Sequence, residues 1–266
     1  MSGILDNIGL PTSGINLSYG NGETLGNFDA DILVSLQPYH HATADYAQRL
    51  REELPKALPG TAFYFEPADI VTQILNFGLP ASIDIQIVGN DIANNFQLAT
   101  KLAEQIRSVP GAVDVRLHQV LDQPRLDFAV DRVRTQQVGL TERDIANNVL
   151  VALSSSSQTS PNFWLSPNGV SYAISVQTPQ YNVNSIDALR TIPVNSPSAA
   201  QPQLLENLTS MNRRQEPAVV NHYNVQRTID IYAGTQGRDL GAVGADIAKI
   251  TAAGQTQLPK GSSMVR

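Results

Sequence analysis

The chain has 266 residues, 42% of them hydrophobic and 16% charged, with a net charge of −6 and no cysteine. These values exclude a disordered tail, a collagen and a disulfide-stapled miniprotein, and the absence of thiols removes thiolate catalysis and zinc ribbons. Acidity with only four lysines (Lys56, Lys101, Lys249 and Lys260) argues against nucleic acid, because neutralising phosphates requires a basic surface.

Residues 9–28 come first, with five glycines, one proline and few charges. The stretch is either a plain connection or a functional loop, since unstructured connections beyond about 12–15 residues are uncommon. Residues 29–66 then carry a strand with Ile32, Val34 and Leu36 on one face. A helix follows near residues 43–58, a Leu58-Pro59-Gly60 break, and a second strand at 61–65. The same pattern recurs over residues 82–118. Ile83, Ile85 and Ile87 alternate with Asp84 and Gln86; Phe96, Ala99, Leu102, Ala103 and Ile106 stripe a helix; and Val109-Pro110-Gly111 leads into Val113, Val115 and Leu117. Proline denies the helix a donor and glycine accepts a positive φ, so each break ends a helix and re-aims the chain.

An extra strand is expected at residues 125–130. Beyond it lies an insertion, residues 139–226, punctuated by Ser, Pro and Asn. It opens with a helix near 140–153 that has Thr141 as cap and Asp144 in its first turn, and continues through a small-residue loop, 154–160. Two β-rich runs, 162–165 and 170–177, flank Ser166-Pro167-Asn168-Gly169, a turn signal that predicts a projecting hairpin. The pattern returns from Arg227: Ile229 and Ile231 alternate with Asp230 and Tyr232, Leu240, Val243, Ile247 and Ile250 stripe a helix, and Leu258-Pro259-Lys260-Gly261 opens a last strand. Repeated strand–helix–strand units predict an α+β fold of two ferredoxin-like split-βαβ sandwiches, the second carrying a β-rich insertion.

No catalytic constellation is present. His40, His41, His118 and His222 stand in no metal-ligand spacing, the glycine-rich loop lacks a phosphate-cradle ending, and the serine run 154–157 has no general base beside it. Neither a catalytic residue, nor a metal, nor a cofactor is therefore expected. Phe63 and Phe65 share one strand face, while Arg116 and His118 share a face in the next unit. If those faces meet, they line an amphiphile-binding cleft; otherwise the two phenylalanines are core under the first helix and Arg116 is an exposed sheet residue. No apolar stretch approaches the ~18 residues of a membrane helix, and residues 1–20 lack the regions of an export signal, so the chain alone reads as soluble and unexported.

The run PRLDFAVDRVRTQQVGLTERDIANNVL at 124–150 follows VPGAVDVRL at 109–117. In order, these hold a Pro-Gly-x-Val-Asp-Val strand, an x-Val-Asp-x-x-Arg strand end and a Gly-Leu-Thr-x-x-Asp-Ile helix start. In this combination the chain resembles the periplasmic porter region of resistance-nodulation-division (RND) efflux permeases, and more closely the second of their two periplasmic loops. The resemblance implies a division into four parts: residues 1–80, a first porter subdomain lacking its first strand and helix; 81–138, the start of a second; 139–226, an inserted docking subdomain; and 227–266, the return strand and helix. It implies that Phe63, Phe65 and Arg116 contact substrate and that Gly9, Leu10, Pro11, Gly14, Gly20, Gly22, Gly26 and Phe28 belong to a switch loop. Pro167, Asn168 and Gly169 would form the tip of the docking hairpin.

The resemblance further implies a fragment of a proton-driven inner-membrane transporter facing the periplasm. Its partners would be a homotrimer, a periplasmic adaptor protein, an outer-membrane channel and amphiphilic small molecules. Three methionines and no cysteine point away from soft-ion exporters and toward the hydrophobe/amphiphile type. The rival reading is a structural module that makes trimer and channel contacts without binding substrate.

Overall fold

The computed structural model describes residues 2–10, 24–66, 70–75, 78–157 and 159–265. In chain order the strands and helices begin with β1 (Gly3–Ile8), β2 (Ala30–Ser35), α1 (Thr43–Ala57), α2 (Ile70–Leu75), β3 (Ile83–Val88), α3 (Ile92–Arg107) and β4 (Ala112–Leu117). Next come β5 (Gln123–Val130), α4 (Arg132–Gln137), α5 (Glu142–Ser154), β6 (Asn162–Leu165), β7 (Ser171–Ile174), α6 (Ile186–Arg190), β8 (Pro193–Val194), β9 (Gln203–Leu204) and α7 (Leu205–Leu208). The chain closes with β10 (Thr209–Glu216), β11 (Asn221–Tyr223), β12 (Gln226–Thr235), α8 (Leu240–Gln255) and β13 (Ser263–Val265). They fall into two compact units, one made of Met1–Gln123 with Glu216–Arg266, the other of Pro124–Gln215.

The first unit is organised by an antiparallel sheet in which β3 lies between β13 and β12, and β12 pairs along its other side with β11 and then β4. Strands β3, β4, β12 and β13 with helices α3 and α8 make one complete split-βαβ sandwich, as the recurrence of the pattern predicts. Ile85, Ile87, Ile229 and Ile231 turn inward onto Leu98, Ala99, Leu102, Ala103 and Ile106 of α3 and Val243 and Ile247 of α8. Burial of that stripe is the main stabilisation of this unit, each fully buried aliphatic side chain contributing about 1.5–3 kcal/mol before entropy. The helices come close enough that a Cβ on Gly254 would stand 2.9 Å from Leu102 Cδ2. Their starts are capped by Asp91 and Asp239, which accept from the backbone N–H groups of Asn94 and Ala242. The breaks behave as expected, with Gly111 at φ +87° and Gly261 at φ +84°.

A two-residue turn, Asn224-Val225, joins β11 to β12 with φ of 46° and 71°. Both central residues are left-handed, the pattern of a type I′ hairpin that favours Asn-Gly. Val225 is 93% exposed, so its side chain gains little packing in return for that backbone. Val225→Gly is expected to stabilise the chain by about 1 kcal/mol, the relieved strain exceeding glycine's entropy cost, and to raise the midpoint of urea unfolding.

The beginning of the chain departs from expectation in two ways. Strand β1, unforeseen in the sequence, pairs antiparallel with β2, Ile4 opposite Val34 and Asp6 opposite Ile32. The alternation of Ile32 and Val34 holds, yet both are exposed, at 60% and 47%. Nothing among the described residues packs on that face of the ribbon. The strand expected at 61–65 is absent: residues 61–66 follow α1 outside every sheet and contact their surroundings through side chains. Helix α1 itself buries no residue fully; Ala47, Arg51 and Leu54, at helical spacing, are its half-buried stripe.

The second unit has its own core of Leu140, Ile145, Ala152, Ile192, Val194, Leu205 and Leu208, against which Phe128 and Val130 of β5 pack. The expected strand at 125–130 therefore exists but does not extend the sandwich; it pairs with β10, a strand the sequence reading missed. The compact second unit accordingly runs from Pro124 to Gln215. Its first long helix, α5, starts with the expected cap: Thr141 accepts from the Asp144 N–H, and Asp144 accepts from the Thr141 N–H. The Thr141 hydroxyl, donating to Asp144 Oδ2 at 2.7 Å, and then the Thr141 N–H hold the Asp144 carboxyl below the usual carboxylate range.

Candidate functional site

The open face of the sandwich, opposite its helices, is polar and is where the sequence-predicted residues gather. Strand alternation puts Asp84 and Gln86 of β3, Thr228, Asp230 and Tyr232 of β12, and Arg116 of β4 on this side. Tyr232 stands opposite Asp84 on one neighbour and Arg116 on the other. Arg116 is covered. Its guanidinium carbon lies 4.1 Å from the centre of the Tyr64 ring and 5.3 Å from that of Tyr232, and Nη2 donates to Glu66 Oε1 at 3.2 Å. Side-chain exposures of 12% for Arg116 and 15% for Glu66 make this ion pair nearly dry.

A second arginine works beside it. From α1, Arg51 donates Nε to Asp114 Oδ1 at 2.9 Å and Nη2 to Asp114 Oδ2, while Nη1 donates to Gln236 Oε1. The same guanidinium lies 4.9 Å from the centre of the Phe65 ring. Asp114 sits in β4 at φ +53°, a left-handed backbone next to an irregularity in the β4–β12 register between Tyr232 and Gly234. Its side chain is 5% exposed.

Beneath Tyr232 is a group of buried polar side chains. Asp230, 2% exposed, accepts from Gln119 Nε2 at 2.6 Å, Asn221 Nδ2 at 3.0 Å and Thr228 Oγ1 at 2.9 Å. Asp84 accepts from Gln86 Nε2 at 2.9 Å through Oδ2, while its buried Oδ1 has no hydrogen-bond partner among the described residues. Burial, then the Asp230 charge, push the Asp84 carboxyl up to about 7 despite the Gln86 bond. The His118 ring lies 5.2 Å from that of Tyr232. Burial pushes its pKa down, Arg116 adds to this, and Asp230 and Asp29 oppose it.

The structure thus gathers the three predicted substrate residues unevenly. Arg116 meets Tyr64 and Glu66, the alternation opposite to the one expected, while Phe65 is placed against Arg51 and Phe63 is half-buried. Tyr64, Glu66, Arg51 and Asp114 were missed as site residues. The parity of 61–66 holds, with 64 and 66 sharing one partner, but the sequence does not say which parity faces Arg116. Of the loop residues, Gly9, Leu10, Gly26 and Phe28 are described and Pro11, Gly14, Gly20 and Gly22 lie outside the described residues. The Gly9 N–H donates to the Asp29 carbonyl at 2.8 Å, closing the neck of the β1–β2 connection. Gly26 is buried, and a Cβ there would stand 2.6 Å from the Phe28 ring and 3.0 Å from Gln123 Nε2.

In the second unit the hairpin β6–β7 forms as expected around Ser166-Pro167-Asn168-Gly169, with Gly169 at φ +80° and its N–H on the Ser166 carbonyl at 2.8 Å. Both faces are apolar and exposed: Phe163 and Leu165 on one, at 66% and 68%, and Trp164, Tyr172 and Ile174 on the other, at 53%, 53% and 49%. Among the described residues no three His, Asp or Glu side chains gather as a metal-ion site, and no helix is long and apolar enough to cross a membrane.

The first unit is thus a split-βαβ sandwich with aromatic and guanidinium groups on its open face, and the chain segment that interrupts it carries an exposed apolar hairpin. The family description AcrB/AcrD/AcrF matches residues 13–265, and the chain belongs to that family of RND permeases. Among curated relatives, a nickel-cobalt-cadmium resistance protein, NccA, of Alcaligenes xylosoxydans xylosoxydans is 27% identical over 80% of this chain and 20% of its own length. A cobalt-zinc-cadmium resistance protein, CzcA, of Cupriavidus metallidurans is 24% identical over 82% of this chain and 20% of its own. The chain spans about a fifth of the length of these relatives. The crystal structure of a heavy metal efflux pump superposes with a TM-score of 0.68 at 18% identity, covering 92% of this chain and 26% of that one. The α+β expectation is borne out by this likeness. The relatives' names speak of metals, so the hydrophobe/amphiphile branch is not what the comparisons carry.

Proposed function

We propose that this chain is the porter and docking portion of an RND efflux permease, working on the periplasmic side of the inner membrane within a proton-driven homotrimer. An adaptor protein and an outer-membrane channel complete the assembly. The observation that carries the reading is the set of contacts by which Tyr64, Phe65 and Glu66 meet Arg116 and Arg51 over the open sheet face. Aromatic surface beside guanidinium groups suits amphiphilic organic molecules, which bring apolar area and a polar head to one place. Metal ions remain the second reading, favoured by the names of the relatives.

Titration separates the two. A fluorescent amphiphile is expected to bind the wild-type chain at micromolar concentration and to lose affinity in the Phe63→Ala, Phe65→Ala double variant. Binding of cobalt or zinc chloride with no amphiphile binding overturns the substrate assignment.

The docking role rests on the exposed faces of β6–β7. Trp164, the only tryptophan, reports on it directly. Trp164→Ala is expected to change the stability of the isolated chain by less than about 0.5 kcal/mol, because an exposed ring stabilises little. In the full-length pump the same change is expected to weaken assembly at least tenfold, in keeping with exposed aromatic anchors at interfaces. Undisturbed assembly, read by crosslinking of the intact complex, overturns the docking role.

A further inference from the structure

A guanidinium held between two rings in a nearly dry setting is an anion receptor: its donors are fixed in a plane and the low dielectric strengthens each charge-assisted bond. In this structure the anion comes from the chain itself. Glu66 reaches Arg116 at 3.2 Å from the end of residues 61–66, which lie outside every sheet. That segment is held by Tyr64 and Glu66 on Arg116 and by Phe65 on Arg51, contacts of side chains with two arginines anchored on other elements. Arg51 and Arg116 are not equivalent. Asp114 engages Arg51 through two hydrogen bonds from within a sheet strand, whereas the Arg116 guanidinium donates from Nη2 to Glu66 on a segment outside the sheets.

We propose that residues 61–66 form a strap whose Glu66 carboxylate is a built-in competitor for the Arg116 anion site, so that ligands with an anionic head and an apolar body bind by displacing it. The inference rests on Arg116 being a substrate contact, as proposed above, and adds a charge preference and an opening step. Displacement exchanges one carboxylate for another anion on the same guanidinium, while the Tyr232 ring, fixed in β12, remains to receive the apolar body. A neutral ligand of the same shape has nothing to offer Arg116 and leaves Glu66 in place.

The test uses the whole 266-residue chain and two probes with a common aromatic body, anilinonaphthalene sulfonate and uncharged N-phenylnaphthylamine. Glu66→Gln is expected to tighten the sulfonate about tenfold and the neutral probe less than about twofold, in line with the strength of a charge-assisted bond. Arg116→Gln placed in the Glu66→Gln chain is expected to abolish the gain. Uptake by the exposed hairpin is insensitive to both substitutions and subtracts out. Amide exchange within 61–66 is expected to accelerate in Glu66→Gln without ligand, and in wild type on saturation with the sulfonate. Glu66→Asp, which keeps the charge, is expected to behave as wild type and controls for folding. Arg116→Gln weakening the sulfonate while Glu66→Gln does not tighten it overturns the competitor and spares the substrate contact. Sulfonate binding unmoved by Arg116→Gln overturns both.

Discussion

Arg51→Met is expected to destabilise the chain by about 3 kcal/mol and to loosen α1 from the sheet before the sandwich unfolds. Asp114 is 5% exposed and takes hydrogen bonds from the Arg51 guanidinium on both carboxylate oxygens. Methionine keeps much of the length and apolar stem of arginine but leaves a desolvated carboxylate uncompensated, the situation that costs about 3–5 kcal/mol in buried pairs. The loss concentrates on α1 because that helix has no fully buried residue and only a narrow stripe of Ala47, Arg51 and Leu54 to hold it. Adding Asp114→Asn to Arg51→Met is expected to restore about half of the loss, since the orphaned charge disappears with it. Urea unfolding gives the stability, and amide exchange across residues 43–57 gives the location. An Arg51→Met chain as stable as wild type, with α1 equally protected, contradicts this account.

Asp84→Asn is expected to have the opposite sign and a strong pH dependence. An unfolded aspartate ionises near its ordinary 3.8, whereas burial and the neighbouring Asp230 keep a proton on folded Asp84 up to about 7. Between those values the folded chain binds the extra proton, so rising pH costs stability throughout the window and the loss is complete above it. The full shift corresponds to a ceiling of about 4 kcal/mol; partial solvent access screens this to about 1–2 kcal/mol. Asparagine keeps the shape and carries no charge, so the variant gains on wild type from pH 4 to pH 8, with the advantage greatest at the alkaline end. Paired urea curves at pH 4.5, 6 and 8 check it; a constant difference across the three shows that Asp84 does not hold the proton.

The sandwich was legible because its signals are local and agree with one another. Isoleucines at alternate positions of 83–87 and 229–231, helical stripes at 96–106 and 240–250, and a proline–glycine break after each helix all specify the same elements, and the fold bears them out. The capping box at Thr141 and the turn at Ser166–Gly169 were readable for the same reason. Strand β10 was not. Its sequence, TSMNRRQE, alternates weakly and is mostly exposed, and its pairing with β5 is a long-range fact that no window contains. Residues 61–65 failed in the other direction: the recurring pattern and the Leu58-Pro59-Gly60 break suggested a strand, but ring contacts with arginines engage them instead of a backbone ladder. Arg116 was found through its place in a motif, whereas Arg51 sat unnoticed on a helix whose partner is 63 positions away.

The order of the sheet has a practical side. Strand β3, IDIQIV, is covered along one edge by β12 and along the other by three residues of β13. Six residues rich in isoleucine and low in charge are the raw material of cross-β stacking, and among the described residues a three-residue strip seals that edge. Any expression boundary drawn ahead of Ser263 unzips that seal, turning β3 into a template on which other copies can grow as fibrils.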